Sequence, residues 1–333
     1  MLLFLWRLCM FEDVEGTGLL IHHWDTDGIC SARLLLERLS DMKITNKTPV
    51  LGNYFLIEQE LSAFSMYDFV IVVDMALPEE NILRMAKNSK VIIIDHHLQE
   101  EIPGVLHHNP ISKGMSPEQY PSASWIVNEA LGNTVNLFAL LGVVGDFEHR
   151  IQKNKEFFQR ITDFCSTQHL NFEELVHMVY LLDSNYKVGD RNAVEEAPRL
   201  LLKHPQPEWI LKNKRWKKNL SLLENEILKH IEEPGEEIDR VLVKKIHTSY
   251  NIISTVTRKI AWNTGKDVVV VNTGFFKDRD QIYVRSTKNL MPMIQKGTSL
   301  GFRCGGKTEV LGAVVPNEKT EGFVKEIMTF LSQ

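Results

Sequence analysis

The sequence lacks several features that would assign it to a common class of protein. Its four cysteines, Cys9, Cys30, Cys165 and Cys304, are widely separated and form no CxxC pair. This spacing argues against a zinc knuckle or a disulfide framework and favours a reducing cytoplasm. The formal net charge of −5 gives no excess of positive charge, so binding to a phosphate backbone would need a local basic patch.

A long hydrophobic run is also missing. The N-terminal stretch MLLFLWRLCMF is apolar, but Arg7 interrupts it and three acidic residues follow it closely. It is too short to cross a bilayer and has no signal-peptide cleavage site, so we expect no membrane partner. Two interpretations of this stretch are a helix or strand laid against the first domain, and a segment that docks a partner.

The sequence does contain apolar stretches that end in metal-binding side chains. Residues 19–23, 70–73 and 91–94 are runs that are typical of strands buried in a parallel sheet. The side chains at their ends are His22, His23, Asp25 and Asp27 for the first run, Asp74 for the second, and Asp95, His96 and His97 for the third. Because the carboxyl ends of parallel strands meet at one edge of a sheet, we expect these side chains to converge.

Carboxylates and imidazoles in such a set suit Mn²⁺, Mg²⁺ or Co²⁺. Asp146 adds a fourth separated acid, at the end of an apolar segment over 136–146 that we predict to be a buried helix. These groups are more than one ion needs, which favours two cations bridged by one carboxylate, with Asp74 as the bridge. A bound ion lowers the pKa of its water, so the set predicts phosphoester hydrolysis without a side-chain nucleophile.

Taken singly, each residue also has an ordinary structural interpretation. Asp25 fits a turn, His96 fits the end of a strand, and Asp146 fits the end of a helix. Their joint placement after apolar elements favours the metal site.

The spacing of apolar residues predicts an α/β protein with three parts. Strands and helices alternate over 1–150, which predicts a doubly wound parallel sheet that carries the metal site. Helical patterns over 151–235 predict a connector, including one helix over 207–230. Residues 236–333 predict a smaller mixed α/β domain with a glycine loop at 304–307.

A basic cluster within the connector has two interpretations. Its cations are Lys212, Lys214, Arg215, Lys217 and Lys218, and Trp209 and Trp216 are interleaved with them. It is either a solvated helical face anchored by two core tryptophans or a groove that binds a single strand of nucleic acid.

Several motifs together resemble those of the DHH phosphoesterase superfamily. HWDTDGICS, VVDMA, IIDHH and GVVGD occur in the order and at the separations of its metal-site motifs. YVRS and CGGKTEVLGA resemble its associated C-terminal domain, so the resemblance spans nearly the whole chain. It implies that 1–150 is the DHH catalytic domain and that 236–333 is the DHH-associated substrate-binding domain.

The resemblance also implies roles for individual residues. The ligands of two Mn²⁺ or Mg²⁺ ions would be His23, Asp25, Asp27, Asp74, His96 and Asp146. His23 has the same strand parity as Asp25, while His22 is the alternative to it. Asp74, His96 and His97 would be the catalytic residues, with His97 contacting the scissile phosphate and Asp95 orienting the neighbouring imidazoles.

In the C-terminal domain, Arg285 resembles the substrate-binding arginine of the superfamily. Gly305 and Gly306 resemble its phosphate or sugar cradle. The loop departs from the usual pattern, because Lys307 stands where a histidine normally follows the glycines. Lys307 supplies charge in place of that histidine, although a lysine is a poorer directional donor.

Within the superfamily, the motifs most resemble archaeal RecJ-like and helicase-associated DHH exonucleases. This implies degradation of single-stranded nucleic acid in DNA repair, with a helicase or another repair protein as a partner. The runner-up activity is that of a nano-RNase or a cyclic-dinucleotide phosphodiesterase. The alternative from another class is a noncatalytic replication or repair scaffold of the same fold.

Overall fold

Three runs of buried apolar residues form the inner strands of a parallel sheet in the computed structural model, which describes Phe11 and residues 14–333. The strands are β1 (Thr17–His22), β2 (Lys43–Lys47), β3 (Phe69–Val73), β4 (Lys90–Ile94) and β5 (Leu106–His108). Their order is β2-β1-β3-β4-β5, and every neighbouring pair is parallel. The carboxyl ends of β1, β3 and β4 therefore lie side by side.

Helices follow these strands and continue beyond them. They are α1 (Thr26–Arg38), α2 (Glu58–Phe64), α3 (Glu79–Ala86), α4 (Ala123–Ala130), α5 (Leu137–Phe147), α6 (Lys155–Gln168), α7 (Phe172–Lys187), α8 (Arg191–Lys203), α9 (Pro207–Lys212) and α10 (Lys214–Glu232). A 3₁₀ turn, Glu148–Lys153, separates α5 from α6. The single helix predicted over 207–230 is wrong, because Asn213 ends α9 and its side chain accepts the backbone N–H of Trp216 in the first turn of α10.

A second sheet is mixed. Its strands are β6 (Glu236–Ile238), β7 (Val241–Ile246), β8 (Asp267–Asn272), β9 (Arg279–Arg285), β10 (Arg303–Lys307) and β11 (Val310–Pro316), in the order β10-β11-β9-β8-β7-β6. Only β7 and β8 pair in parallel among these strands. Helix α11 (Ile253–Thr264) packs on one face, and α12 (Met291–Ser299) and α13 (Asn317–Ser332) pack on the other. The predicted α/β fold, with a parallel sheet and a smaller mixed domain, is confirmed.

Two short strands lie where no strand was predicted. The glycine loop at 304–307 is the edge strand β10, because its backbone groups pair with β11 even though two glycines interrupt it. Strand β2 has no counterpart among the predicted strands, because its sequence KITNK is largely polar.

The described residues divide into two units. The first runs to Tyr186 and includes Asp190–Lys217, and the second comprises Lys187–Gly189 and Lys218–Gln333. The three-part division with boundaries after residues 150 and 235 stays a prediction. Both interpretations of the apolar N-terminus concern residues outside the described ones, apart from Phe11. Among the described residues, the helices are too short or too polar to cross a bilayer.

Candidate metal centre

Four of the six predicted metal ligands directly follow the carboxyl ends of β1, β3 and β4. His23 and Asp25 follow β1, Asp74 follows β3, and His96 follows β4. The strand order reverses direction between β1 and β3, and ligands of open α/β sheets bind at such a point. The fold therefore presents these side chains where a ligand site is expected.

Ligand atoms of these residues form three groups, in each of which all atoms lie within 4.8 Å of one another. The groups are His23, Asp25 and Asp74; Asp27, His96 and Asp146; and Asp74, Asp95, His96 and His97. All six residues predicted as metal ligands occur in these groups. The structure thus brings together side chains from four separate segments of the sequence, while their roles as ligands stay a prediction.

Asp74 occupies the middle of the cluster. Its Oδ2 lies 3.7 Å from Nδ1 of His23, and its Oδ1 lies 3.5 Å from Nε2 of His96. The two oxygens of one carboxylate therefore face two different groups of ligand atoms, as a bridging carboxylate requires. Asp74 also has a positive φ of 58°, an uncommon conformation for a residue other than glycine that often marks a functional site.

The alternative between His22 and His23 is decided by where their rings lie. His22 is fully buried, with Nδ1 at 2.6 Å from the carbonyl oxygen of His23 and Nε2 at 3.2 Å from the amide nitrogen of Asn46. Burial lowers the pKa of His22 to about 4. His23 instead places Nδ1 at 2.8 Å from Oδ2 of Asp25, so His23 is the histidine that joins the cluster.

Backbone N–H groups hold the two aspartates of the first motif. Asp25 precedes α1 and accepts the N–H of Gly28 at 3.2 Å, which caps the helix. Asp27 is fully buried and accepts the N–H groups of Ala123 at 2.7 Å and Ser124 at 2.9 Å, at the start of α4. These bonds fix both carboxylates in place before any ion binds.

Helix α5 supplies the last carboxylate. Oδ2 of Asp146 lies 3.3 Å from Nε2 of His96, which in turn lies 4.0 Å from Oδ2 of Asp27. A close helix approach makes this possible, because a Cβ atom at Gly142 would overlap Oγ of Ser124 and Oδ1 of Asp27. A side chain at position 142 would therefore displace the hydroxyl of Ser124 or the carboxylate of Asp27.

Asp95 lies beneath the two histidines that follow it. The fully buried Oδ1 atom accepts the backbone N–H of His96 at 2.8 Å and lies 2.8 Å from Nδ1 of His97. The side chain of His97 is 49% exposed, so its other ring nitrogen can reach a substrate. Burial opposes protonation of His97, but the contact with Asp95 raises its pKa. This geometry agrees with the predicted orienting role of Asp95.

The electrostatics of the cluster fit a bound cation. Burial, together with neighbouring carboxylates, raises the pKa of both Asp74 and Asp146 well above the usual range. Burial also acts to raise the pKa of Asp25, but the contact of this carboxyl with His23 outweighs burial and lowers its pKa. Oδ2 of Asp74 and Nε2 of His23 are buried without a hydrogen-bond partner among the described residues. A divalent ion would relieve the repulsion and use these atoms, and the donor set suits Mn²⁺ or Mg²⁺.

Several polar residues that support the site are absent from the sequence predictions. Thr26 donates its hydroxyl to Asp183 of α7 at 2.7 Å, and Asn109 donates its amide to the carbonyl oxygen of His97 at 2.6 Å. Tyr54 is 63% exposed and stacks on His23 with ring centroids 5.8 Å apart. Their sequence contexts carry no signal for these contacts, because the partners are far apart along the chain.

The predicted substrate-binding residues belong to the second unit. Arg285 ends β9 opposite Val310 of β11, which itself lies opposite Lys307 of β10. Directly opposed residues point to the same face of a sheet, so Arg285 and Lys307 share a face. Gly305 and Gly306 lie beside Lys307 in β10, and a Cβ atom at Gly306, where φ is 149°, would overlap the carbonyl oxygen of Val310.

The basic cluster at 212–218 fits the structural interpretation better. Trp216 is 1% exposed, and Trp209 stacks on His204 with ring centroids 4.6 Å apart. Arg215 forms ion pairs with Asp190 and Glu196. The tryptophans of this cluster are thus engaged in packing rather than presented for stacking with bases.

Comparison with known proteins places this geometry in a family. Residues 19–159 match the N-terminal domain of the DHH family. An exonuclease RecJ bound to manganese is similar in structure, with a TM-score of 0.66 and 16% identity, over 95% of this chain and 90% of that one. The sequence matches no curated protein.

Two further solved structures are similar. RecJ from Thermus thermophilus in complex with Mn²⁺ has a TM-score of 0.69 and 16% identity, over 95% of this chain and 52% of RecJ, so this chain spans about half of that protein. A pGpG-specific phosphodiesterase, PggH from Vibrio cholerae, has a TM-score of 0.50 and 14% identity, over 95% and 99% of the two chains. At these identities the likeness establishes the shared fold.

Proposed function

Since this chain belongs to the DHH family through its N-terminal domain, we propose that it is a divalent-metal-dependent phosphoesterase that cleaves phosphodiester bonds. More specifically, we propose that it is an exonuclease that degrades single-stranded DNA or RNA. The similar proteins include an exonuclease, RecJ, in complex with manganese or Mg²⁺, and a pGpG-specific phosphodiesterase, PggH. These likenesses support a phosphodiester substrate and Mn²⁺ or Mg²⁺ for this chain.

The position of Asp74 is the strongest support for this proposal. Its two oxygens face His23 on one side and His96 on the other, at 3.7 and 3.5 Å. In the proposal, His23 and Asp25 complete one ion site, Asp27, His96 and Asp146 complete the other, and Asp74 bridges them. When bound, two divalent ions would supply a water of lowered pKa and a clamp for a phosphoryl oxygen.

The residues of the chain have separate tasks in this reaction. The hydrogen bonds from α1 and α4 keep the carboxylates of Asp25 and Asp27 aimed at the site, so little reorganisation accompanies the reaction. Asp95 holds Nδ1 of His97, which leaves Nε2 to donate a hydrogen bond to a nonbridging oxygen of the scissile phosphate. Arg285, Gly305, Gly306 and Lys307 of the second unit would bind the strand.

Three further parts of the proposal concern the surroundings of the enzyme. A reducing cytoplasm stays a prediction from the spacing of the cysteines. A role in DNA repair and a helicase or another repair protein as a partner stay predictions from the motifs.

Turnover of a panel of substrates tests the proposal. End-labelled single-stranded DNA, single-stranded RNA, pGpG and a cyclic dinucleotide would be incubated with the protein and Mn²⁺, and then with EDTA. We expect stepwise shortening of at least one single strand in Mn²⁺ and none in EDTA. Turnover of dinucleotides alone would favour the runner-up activity, and no turnover of any substrate would favour the noncatalytic scaffold.

A further inference from the structure

The second unit exposes a tryptophan. Trp262 of α11 is 65% exposed, whereas Trp24, Trp125 and Trp216 are at most 4% exposed. Tryptophan is highly buried on average, so the exposure of this ring sets it apart from these other tryptophans.

Two guanidinium groups border this ring. Cζ of Arg258 lies 5.3 Å from the ring centroid, and Cζ of Arg285 lies 5.5 Å from it. Both distances fall within the range of cation–π contacts, which is up to about 6 Å. Helix α11 carries Arg258 and Lys259 and no acidic residue, so this helix is basic in a chain with a net charge of −5.

The position of Trp262 links it to the face that we propose for substrate binding. Arg285 shares a face of the second sheet with Lys307, and α11 packs on the Arg285 side of that sheet. Among the described residues, no ion pair joins Arg285 to a carboxylate. The exposed indole therefore borders a cationic surface rather than standing alone.

We propose that Trp262 and Arg258 form a base-stacking subsite for single-stranded nucleic acid. One base lies on the exposed indole, and the guanidinium of Arg258 binds a neighbouring phosphate. The bases of a duplex are stacked internally and cannot lie on such a ring, so the subsite selects unpaired strands. This inference rests on the proposed function, since it names a subsite for the same class of substrate.

Strand binding in EDTA, where hydrolysis cannot occur, tests the subsite. Fluorescence anisotropy would measure the dissociation constants of a labelled short oligothymidylate and of an abasic strand of the same length. We expect Trp262→Ala to weaken oligothymidylate binding by about ten-fold, the loss of one stacked base, and to leave the binding of the abasic strand nearly unchanged. Oligouridylate would serve as the RNA counterpart.

Matched variants separate stacking from charge and from folding. Trp262→Phe keeps a smaller aromatic face, so it should lose less affinity than Trp262→Ala. Arg258→Ala and Lys259→Ala each remove one positive charge from the same helix, but only Arg258 contacts the ring. Arg258→Ala should therefore weaken oligothymidylate binding more than Lys259→Ala does.

The outcomes for the subsite and for the proposed function are distinguishable. Hydrolysis of bis(p-nitrophenyl) phosphate by the wild-type protein in Mn²⁺ reports on the metal centre and needs no strand binding. If this diester is not hydrolysed, but Trp262→Ala still weakens the binding of oligothymidylate and not that of the abasic strand, the proposed activity fails and the subsite stands. The subsite would be overturned if Trp262→Ala left the affinity for both strands unchanged. It would also be overturned if the substitution weakened the binding of oligothymidylate and of the abasic strand equally.

Discussion

The two units of this protein concentrate opposite kinds of charge. The first collects buried carboxylates and imidazoles at the ends of β1, β3 and β4, where burial and mutual repulsion raise the pKa of Asp74 and Asp146. The second presents Arg258, Arg285 and an exposed indole on one side of its mixed sheet. A buried acidic cluster needs cations, and an exposed basic and aromatic surface suits an anionic polymer. Under the proposed function, hydrolysis and strand binding belong to different residues and can be lost separately.

The largest effect is expected from Asp74→Asn. Asparagine has the same shape and tolerates the positive φ of this position, so the variant should fold. Loss of the bridging carboxylate should reduce the hydrolysis rate on the order of a thousand-fold or more, because about 4 kcal/mol of transition-state stabilisation corresponds to that factor.

The same variant should keep part of its affinity for single strands, through the second unit. Asp68→Asn is the control, because Asp68 precedes β3 and pairs with Thr17 away from the cluster. Near-normal turnover by Asp74→Asn in Mn²⁺ would show that the assignment of two bridged ions is wrong.

Metal binding should also appear as thermal stability. An ion that binds only the folded state at about a hundred times its dissociation constant adds about 2.7 kcal/mol, or roughly 5 °C or more in melting temperature for a domain of this size. We expect Mn²⁺ to stabilise the wild-type protein by this amount in calorimetry, and to stabilise Asp74→Asn much less. Equal stabilisation of both proteins would place the ion elsewhere.

A steric change can disturb the first unit without removing a ligand. Gly142→Ala places a Cβ atom against Ser124 and Asp27, and such overpacking costs about 1–3 kcal/mol. We expect a lower melting temperature and weaker Mn²⁺ binding by titration calorimetry.

The control for this variant lies in a helix of the second unit. A Cβ atom at Gly322 of α13 would meet nothing within 4 Å, so Gly322→Ala should gain up to about 1 kcal/mol of helix stability. Equal effects of the two substitutions on Mn²⁺ binding would argue against a special packing role for Gly142.

The smallest of these effects is expected from Arg285→Ala. Loss of one phosphate-binding guanidinium should weaken single-strand binding and slow degradation by about ten-fold, equivalent to about 1.4 kcal/mol. The melting temperature should barely move, because the described residues give Arg285 a ring contact with Trp262 and no ion pair to lose. A variant that melts early but degrades single strands normally would mean that Arg285 is structural.

Much of the candidate site could be predicted from the sequence, because its signals are local. Long β-branched runs mark buried parallel strands, and polar residues directly after them must lie at one edge of the sheet. From this pattern we predict that His23, Asp74 and His96 lie close together, and the fold places Asp74 at 3.7 Å from His23 and 3.5 Å from His96.

The features that sequence reasoning missed depend on contacts between distant segments or on edge strands. Strand β2 is polar because it lies at the edge of its sheet, and β10 contains two glycines that are typical of loops. The hydrogen bond between Thr26 and Asp183 joins the start of α1 to α7, which no local pattern connects. The exposure of Trp262 also follows only from how α11 packs, since its neighbour Ala261 is buried.

We propose that the first unit holds two divalent ions bridged by Asp74. The number of Mn²⁺ ions bound per chain tests this claim most directly, and electron paramagnetic resonance can count them and detect magnetic coupling between neighbouring ions. We expect two coupled Mn²⁺ ions in the wild-type protein and loss of the coupled pair in Asp74→Asn. A single uncoupled ion in the wild type, or an unchanged coupled pair in the variant, would contradict it.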